Sequence, residues 1–146
     1  MAAKNVLIYL CAKPAADAIA FYKTAFGAVE KGARILSPDG TIGHAEFTIG
    51  ETTIMISDEY PPMEVFSPTT LGGSPVMLTI SVEDADAAME RAVAAGAKVT
   101  RPVADQFYGE RNGQVVDPFG YRWSVSQHIE DVSPEEMQRR AQALYD

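Results

Sequence analysis

The chain has little with which to cross-link itself, grip nucleic acid or cross a membrane. One cysteine, Cys11, stands in 146 residues, so no internal disulfide can form and the fold must rest on packing. Lys and Arg number 12 against 20 Asp and Glu, and they never cluster. At a net charge of −8, DNA, RNA and anionic membranes are expected to be poor partners, because each is held by grouped cations. No apolar run is long enough to span a bilayer and no secretory leader is visible, so the expectation is a soluble cytoplasmic protein. Nor is there a zinc motif, a glycine-rich phosphate loop, or a Ser/His/Asp arrangement that spacing supports.

What is present is 47% hydrophobic, enough for one compact domain or two small modules sharing a core. The most informative stretch is Val115–His128, VVDPFGYRWSVSQH. Asp117-Pro118-Phe119-Gly120 carries Asp, Pro and Gly where a type I turn favours them. The apolar runs Gln114–Val116 and Tyr121–Val125 flank it, which predicts a β-hairpin. Beyond the turn, Tyr121, Trp123 and Val125 alternate with Arg122, Ser124 and Ser126. Period two puts the large residues, Trp123 among them, on a core face and the polar ones on a face that can line a pocket.

The rest of the chain reads as two similar passages. Asn5–Ala12 predicts a strand. Pro14 opens a helix at its first position, with Ile19, Tyr22 and Phe26 on one buried face and Gly27 closing it. Strands follow at Val29–Leu36, Gly43–Ile49 and Thr52–Ser57, with a turn at Ser37-Pro38-Asp39-Gly40. The last two are joined by Gly50-Glu51 as a type II′ hairpin loop. The proline-rich piece Asp58–Pro75 predicts a linker or a lid over a site. Then come a strand at Val76–Val82, a helix bearing Ala85, Ala88, Met89, Ala92 and Val93 on one face, and a strand at Lys98–Pro102. Ser133-Pro134-Glu135-Glu136 starts a last helix with a Ser cap and a Glu reaching back as a capping box. The pair Asp17-Ala18 and the pair Gly27-Ala28 both recur 69 positions later, as Asp86-Ala87 and Gly96-Ala97. The fold class expected is α+β: two βαβββ modules, residues 4–58 and 75–128, as curved antiparallel-rich sheets with helices on their outer faces. A connection, 58–75, and a C-terminal helix, 133–145, complete one domain over residues 1–146.

The stretches AADAIAFYKTAFGA, GHAEFTIGETTIMISDE and FYGERNGQVVDPFGYRWSVSQHIEDVSPEEM resemble the vicinal oxygen chelate superfamily, which groups glyoxalase I, bleomycin-resistance proteins and extradiol dioxygenases. The resemblance is to its PhnB-like branch and covers nearly the whole chain. It implies a cup-shaped ligand site, a homodimer, and in the metal enzymes four ligand positions on the first and last strands of each module. Carried over, those positions fall on Leu7, Met55, Met77 and Ser124. None offers the imidazole or carboxylate that a divalent ion wants, so no metal cofactor is expected there.

Candidate anchors come from the strand pattern. A two-residue loop at Gly50-Glu51 pairs Glu46 with Met55, which places His44 and Glu46 on one face as an acid/base or two-ligand pair. Tyr9 shares the parity of Leu7 and can present its hydroxyl to a ligand; so does Cys11, read as a buried inert thiol. Arg111 offers a fork for a carboxylate or phosphate, or a structural pair with a neighbouring acid. His128 is read as a surface residue. The function expected is small-molecule binding in an apolar, adaptable cup lined by Leu7, Met55 and Met77, with Met55, Met77 and Ser124 as further ligand-binding candidates. The alternative is a metal-dependent lyase, isomerase or dioxygenase using a displaced site around His44 and Glu46 with a divalent metal ion.

Overall fold

The computed structural model describes residues 1–146. Its elements are β1 (Ile8–Cys11), α1 (Ala15–Phe26), β2 (Val29–Leu36), β3 (Ile42–Ile49), β4 (Thr52–Ser57), α2 (Pro68–Leu71), β5 (Met77–Ser81), α3 (Ala85–Ala95), β6 (Lys98–Asp105), β7 (Glu110–Val116), β8 (Arg122–His128) and α4 (Pro134–Ala143). The strands form two four-stranded sheets, ordered β1-β4-β3-β2 and β5-β8-β7-β6. Each has one parallel pair, β1 with β4 and β5 with β8, and otherwise antiparallel neighbours. The second sheet therefore repeats the first strand for strand, as the α+β reading of paired βαβββ modules expects. No helix is long and apolar enough to cross a membrane.

Local chemistry explains most boundaries. Gly27 closes α1 at φ +70°, with its N–H returned to the carbonyl of Lys23. Pro14, expected as the first helical residue, is instead the N-cap with ψ 148°, and α1 begins at Ala15. Proline carries no capping side chain, so the orphan N–H of Ala15 is taken by Asp58 Oδ1 at 2.9 Å, while Asp58 Oδ2 accepts from Ile42 N at 2.7 Å. One carboxylate at the end of β4 thus fixes both the start of α1 and the start of β3. Strand β6 runs through Pro102 to Asp105 rather than ending there. It is an edge strand with register shifts on both sides of Arg101, which tolerates a residue lacking an N–H. At α4, Ser133 Oγ accepts from Glu136 N at 3.2 Å, but the Glu136 carboxylate turns to Arg139 and Arg140 instead of reaching back. The capping box is half formed.

A single core serves both sheets. Phe47 of β3 stacks on Tyr22 of α1 at 5.4 Å between ring centroids, and Trp123 of β8 packs on Phe26 of α1 at 4.8 Å. Met89 and Ala92 of α3 join the same cluster, and α1 and α3 lie against one another. Aromatic burial of this kind contributes about 1.5–3 kcal/mol per side chain. The hydrophobic alternation along β3 and β8 is therefore spent on a common interior, and the opposite face of each sheet is left open.

Asp117 joins the halves. Its buried Oδ1 accepts from Phe119 N at 2.8 Å and Tyr121 N at 3.0 Å, which shapes the turn. Its Oδ2 accepts from Tyr22 Oη at 2.5 Å and Trp123 Nε1 at 2.8 Å. Burial pushes this carboxyl above its ordinary value, and the four donors pull it back in part. Tyr121 makes a second joint: its hydroxyl donates to the carbonyl of Cys11 and accepts from Cys11 N, both at 2.9 Å.

Candidate functional site

The loop Gly50-Glu51 sets the site's register. Gly50 sits at φ +56°, where a side chain is strained, and pairing runs outward from Ile49 with Thr52 through Glu46 with Met55 to Ala45 with Ile56. The parallel neighbour β1 places Tyr9 beside Met55. Tyr9, Met55 and Glu46 thus form one row across three strands, with His44 two residues from Glu46 on the same face. Ala45, Phe47, Ile54 and Ile56 point the other way and are buried.

Within this row the polar groups are linked. Tyr9 Oη lies 2.8 Å from His44 Nδ1, and His44 Nε2 lies 3.5 Å from Glu46 Oε2. A carboxylate beside Nε2 favours the tautomer with its proton there, leaving Nδ1 to accept from the Tyr9 hydroxyl. Tyr9 then turns its oxygen lone pairs outward. Tyr9 is 49% exposed, so the chain of three ends at an accessible acceptor.

Beside Tyr9 lies a cleft of about 490 Å³ whose far wall is Tyr60, Met63 and Val65. These belong to the Asp58–Pro75 connection, which is folded: a 3-10 turn at Pro61–Met63, a bridge between Tyr60 and Val65, and α2. Glu59 organises it by accepting from Ser67 N at 2.9 Å, Ser67 Oγ at 2.7 Å and Thr70 Oγ1. These hydrogen bonds hold the Glu59 carboxyl down to about 2. Pro68 packs against the hairpin turn, where a Cβ on Gly120 would come within 2.7 Å of it.

A second cavity, about 440 Å³, lies on the open face of the other sheet and is lined by Met77, Ser124, Glu110, Asn112 and their neighbours. No residue of the first sheet reaches it. The expectation that Leu7, Met55, Met77 and Ser124 frame one position is corrected here. Leu7 precedes β1 and is 68% exposed, Met55 belongs to the first open face, Ser124 lies on the second, and Met77 lines both the second face and a cavity between the sheets with Ile8, Thr52 and Ile54. Their alkyl, thioether and hydroxyl groups do not fit a divalent ion, and nowhere do three or more His, Cys, Asp or Glu gather as a metal set.

The other candidates separate. Arg111 faces α3, bonded to Asp86 at 2.9 and 3.0 Å and to Asp105 at 2.9 Å, so its fork is already filled by acids of this chain. Cys11 is buried, and burial, with Glu59 and Asp58 nearby, pushes its thiol up to about 11. His128 is exposed between Glu110 at 3.2 Å and Asp131 at 2.7 Å; those hydrogen bonds raise its pKa. Sequence reasoning overlooked Asn112 because it began the strand at Gln114. Extending the pairing back from the Asp117 turn sets Asn112 against Ser126 and Glu110 against His128.

Comparison with known proteins bears on this geometry. The model of the Glyoxalase/Bleomycin resistance protein/Dioxygenase superfamily matches residues 6–125. "Uncharacterized protein Mb0911c" of Mycobacterium bovis is 44% identical over 133 residues, covering 89% of this chain and 87% of that protein. The crystal structure of the Arabidopsis thaliana At5g48480 product superposes with a TM-score of 0.69 at 30% identity, over 86% of this chain and 99% of that one. A glyoxalase/bleomycin resistance protein/dioxygenase from Nocardioides shares the fold at a TM-score of 0.64 and 21% identity, over 92% and 90% of the two chains.

Proposed function

The chain belongs to the Glyoxalase/Bleomycin resistance protein/Dioxygenase superfamily, and on that premise we propose that it is a cytoplasmic small-molecule-binding protein of the PhnB-like branch, acting as a homodimer without metal at the usual positions. The observation that carries this reading is the linked set Tyr9–His44–Glu46 on an open sheet face beside an apolar cleft. A few convergent polar groups against apolar walls is what a ligand site requires. Tyr9 supplies the accessible acceptor, His44 and Glu46 fix its orientation, and Met55, Tyr60 and Met63 supply surface that a ligand covers.

The divided faces support the dimer. A cup needs both walls, and in one chain Tyr9 of the first sheet and the Met77–Ser124 face of the second line separate cavities. A second copy can set one against the other, covering the exposed Leu7, Ile35 and Leu36. The second reading, a metal-dependent lyase, isomerase or dioxygenase, draws on the imidazole and carboxylate of His44 and Glu46 standing 3.5 Å apart.

Thermal shift of the wild-type protein, His44→Ala and Glu46→Ala against a small-molecule panel, with and without Mn²⁺, Ni²⁺, Zn²⁺ and Fe²⁺, tests both. Binding to the folded state raises the melting temperature. A panel member that stabilises the wild type and loses that effect in both variants is the expected result. Equal stabilisation of all three proteins refutes the anchor assignment, and stabilisation that requires a metal favours the second reading. Light scattering that gives 15.8 kDa across micromolar concentrations contradicts the dimer.

A further inference from the structure

The open face of the second sheet differs in chemistry from the first. Strand register lays its side chains in rows: Gln114, Ser124 and Thr79 in one, Asn112, Ser126 and Ser81 in the next. All six are uncharged hydroxyls or amides. Rows of this kind stand about 4.8 Å apart between strands and about 7 Å apart along one, a grid on the scale of a sugar ring. The alternate residues Val115, Trp123 and Val125 are core.

This is not an ordinary solvated sheet surface. Such faces carry long charged side chains that reach into water. Here Asn112, Ser124 and Ser126 are short and each is under a tenth exposed, at the bottom of a cavity of about 440 Å³. Polar groups so placed cost free energy unless they find partners. Part of the set is pre-oriented: Asn112 Nδ2 donates to Tyr108 Oη at 2.8 Å, and Ser126 Oγ donates to Glu110 Oε2 at 3.2 Å. No fully buried side-chain polar atom lacks a partner, so the remaining hydroxyls and the Gln114 amide open onto the cavity.

No Lys or Arg lines the cavity, and its one formal charge is the Glu110 carboxylate, which repels anions. Glu110 already accepts from Ser126 and lies against His128, so a cation is not demanded either. Tyr108 adds an aromatic surface for an apolar ring face.

We propose that this face binds a neutral polyhydroxylated ligand, a sugar or cyclitol, through Asn112, Gln114, Ser124 and Ser126, with Tyr108 covering its apolar side. The proposal deepens the binding reading above by naming the class of group one wall accepts, but it rests on different residues.

The test uses the full chain and saturation-transfer NMR with myo-inositol and methyl α-D-glucopyranoside as probes. Glucose 6-phosphate is the anionic control. Side-chain amide resonances of Asn112 and Gln114 in the wild-type protein supply a map that needs no variant. At least one neutral probe is expected to bind and shift both amides, with glucose 6-phosphate weaker by about ten-fold. Ser124→Val and Gln114→Leu, checked for an unchanged melting temperature, are each expected to weaken the neutral probe by about ten-fold. Silence from both neutral probes overturns the proposal, as does equal binding of the phosphate or binding that moves neither amide. His44→Ala separates the two readings. A different ligand lost in His44→Ala, with both neutral probes silent, would leave the first reading standing while the polyol proposal fails. Polyol binding that survives His44→Ala but falls in Ser124→Val supports this face on its own.

Discussion

Replacing Asp117 with alanine removes the acceptor at the centre of the inter-sheet joint. Three N–H donors, of Phe119, Tyr121 and Trp123, and the hydroxyl of Tyr22 lose their partner in a site that is almost completely buried. Each buried donor left unsatisfied costs about 1–3 kcal/mol. The gross loss is offset because the charged carboxylate itself was costly to bury, as its raised pKa records. A water entering the void satisfies one or two donors as well. The expected net loss is about 3–5 kcal/mol, a large part of the roughly 5–15 kcal/mol that holds a domain together. Asp117→Asn should cost less, about 1–3 kcal/mol. Its Oδ1 still serves the two turn N–H groups, and the Tyr22 hydroxyl can rotate to accept, so only the Trp123 N–H faces a donor. Trp123 is the sole tryptophan and is 1% exposed, so its emission follows urea unfolding at fixed protein concentration. The midpoint should fall in the order wild type, Asn, Ala, with the slope unchanged. A loss under about 1 kcal/mol for Ala, or Asn as damaging as Ala, would refute the role given to this carboxylate.

Three further outcomes are expected. Gly120→Ala should destabilise the fold by about 1–3 kcal/mol, because φ is +90° and the added Cβ meets Pro68 at 2.7 Å; a neutral result by calorimetry would show that the connection is free to move off the hairpin. Glu59 has a folded value near 2 against 4.5 unfolded, so its contribution is present above about 4.5 and lost as pH falls towards 2; hydrogen exchange in residues 59–71 should rise in that window, and Glu59→Gln should remove the dependence. His44→Ala and Glu46→Ala, both half-buried on the open sheet face, should each change stability by under about 0.5 kcal/mol by urea titration while weakening ligand binding by about 1–3 kcal/mol; a large stability loss would make them structural.

The parts legible in the sequence are those decided within a few residues. Asp117-Pro118-Phe119-Gly120 and Gly50-Glu51 are turns by their own backbone preferences, and once the turns are set, period two decides which face each neighbour joins. That is why strand alternation suffices to read Trp123 as core, Ser124 as lining, and Glu46 as the partner of Met55. Helix ends are harder to read where the cap comes from afar: Asp58 serves Ala15 from the end of another strand, and nothing near Pro14 announces it. The hydrogen bond between Tyr9 and His44 needs β1 to lie parallel to β4, a pairing between distant segments. Arg111 could read as a ligand clamp because its acids, Asp86 and Asp105, arrive on other elements.

By itself, then, the order of residues determined the repeat, the turns and the polarity of each strand face, since these rest on local conformational preference and on burial of every second side chain. The tertiary structure alone decided which faces share a cavity. That depends on how the sheets sit around α1 and α3, held by contacts such as Tyr22 with Asp117 and Cys11 with Tyr121, 95 and 110 residues apart. Bonds over such separations form only when the whole core closes, so no local pattern encodes them.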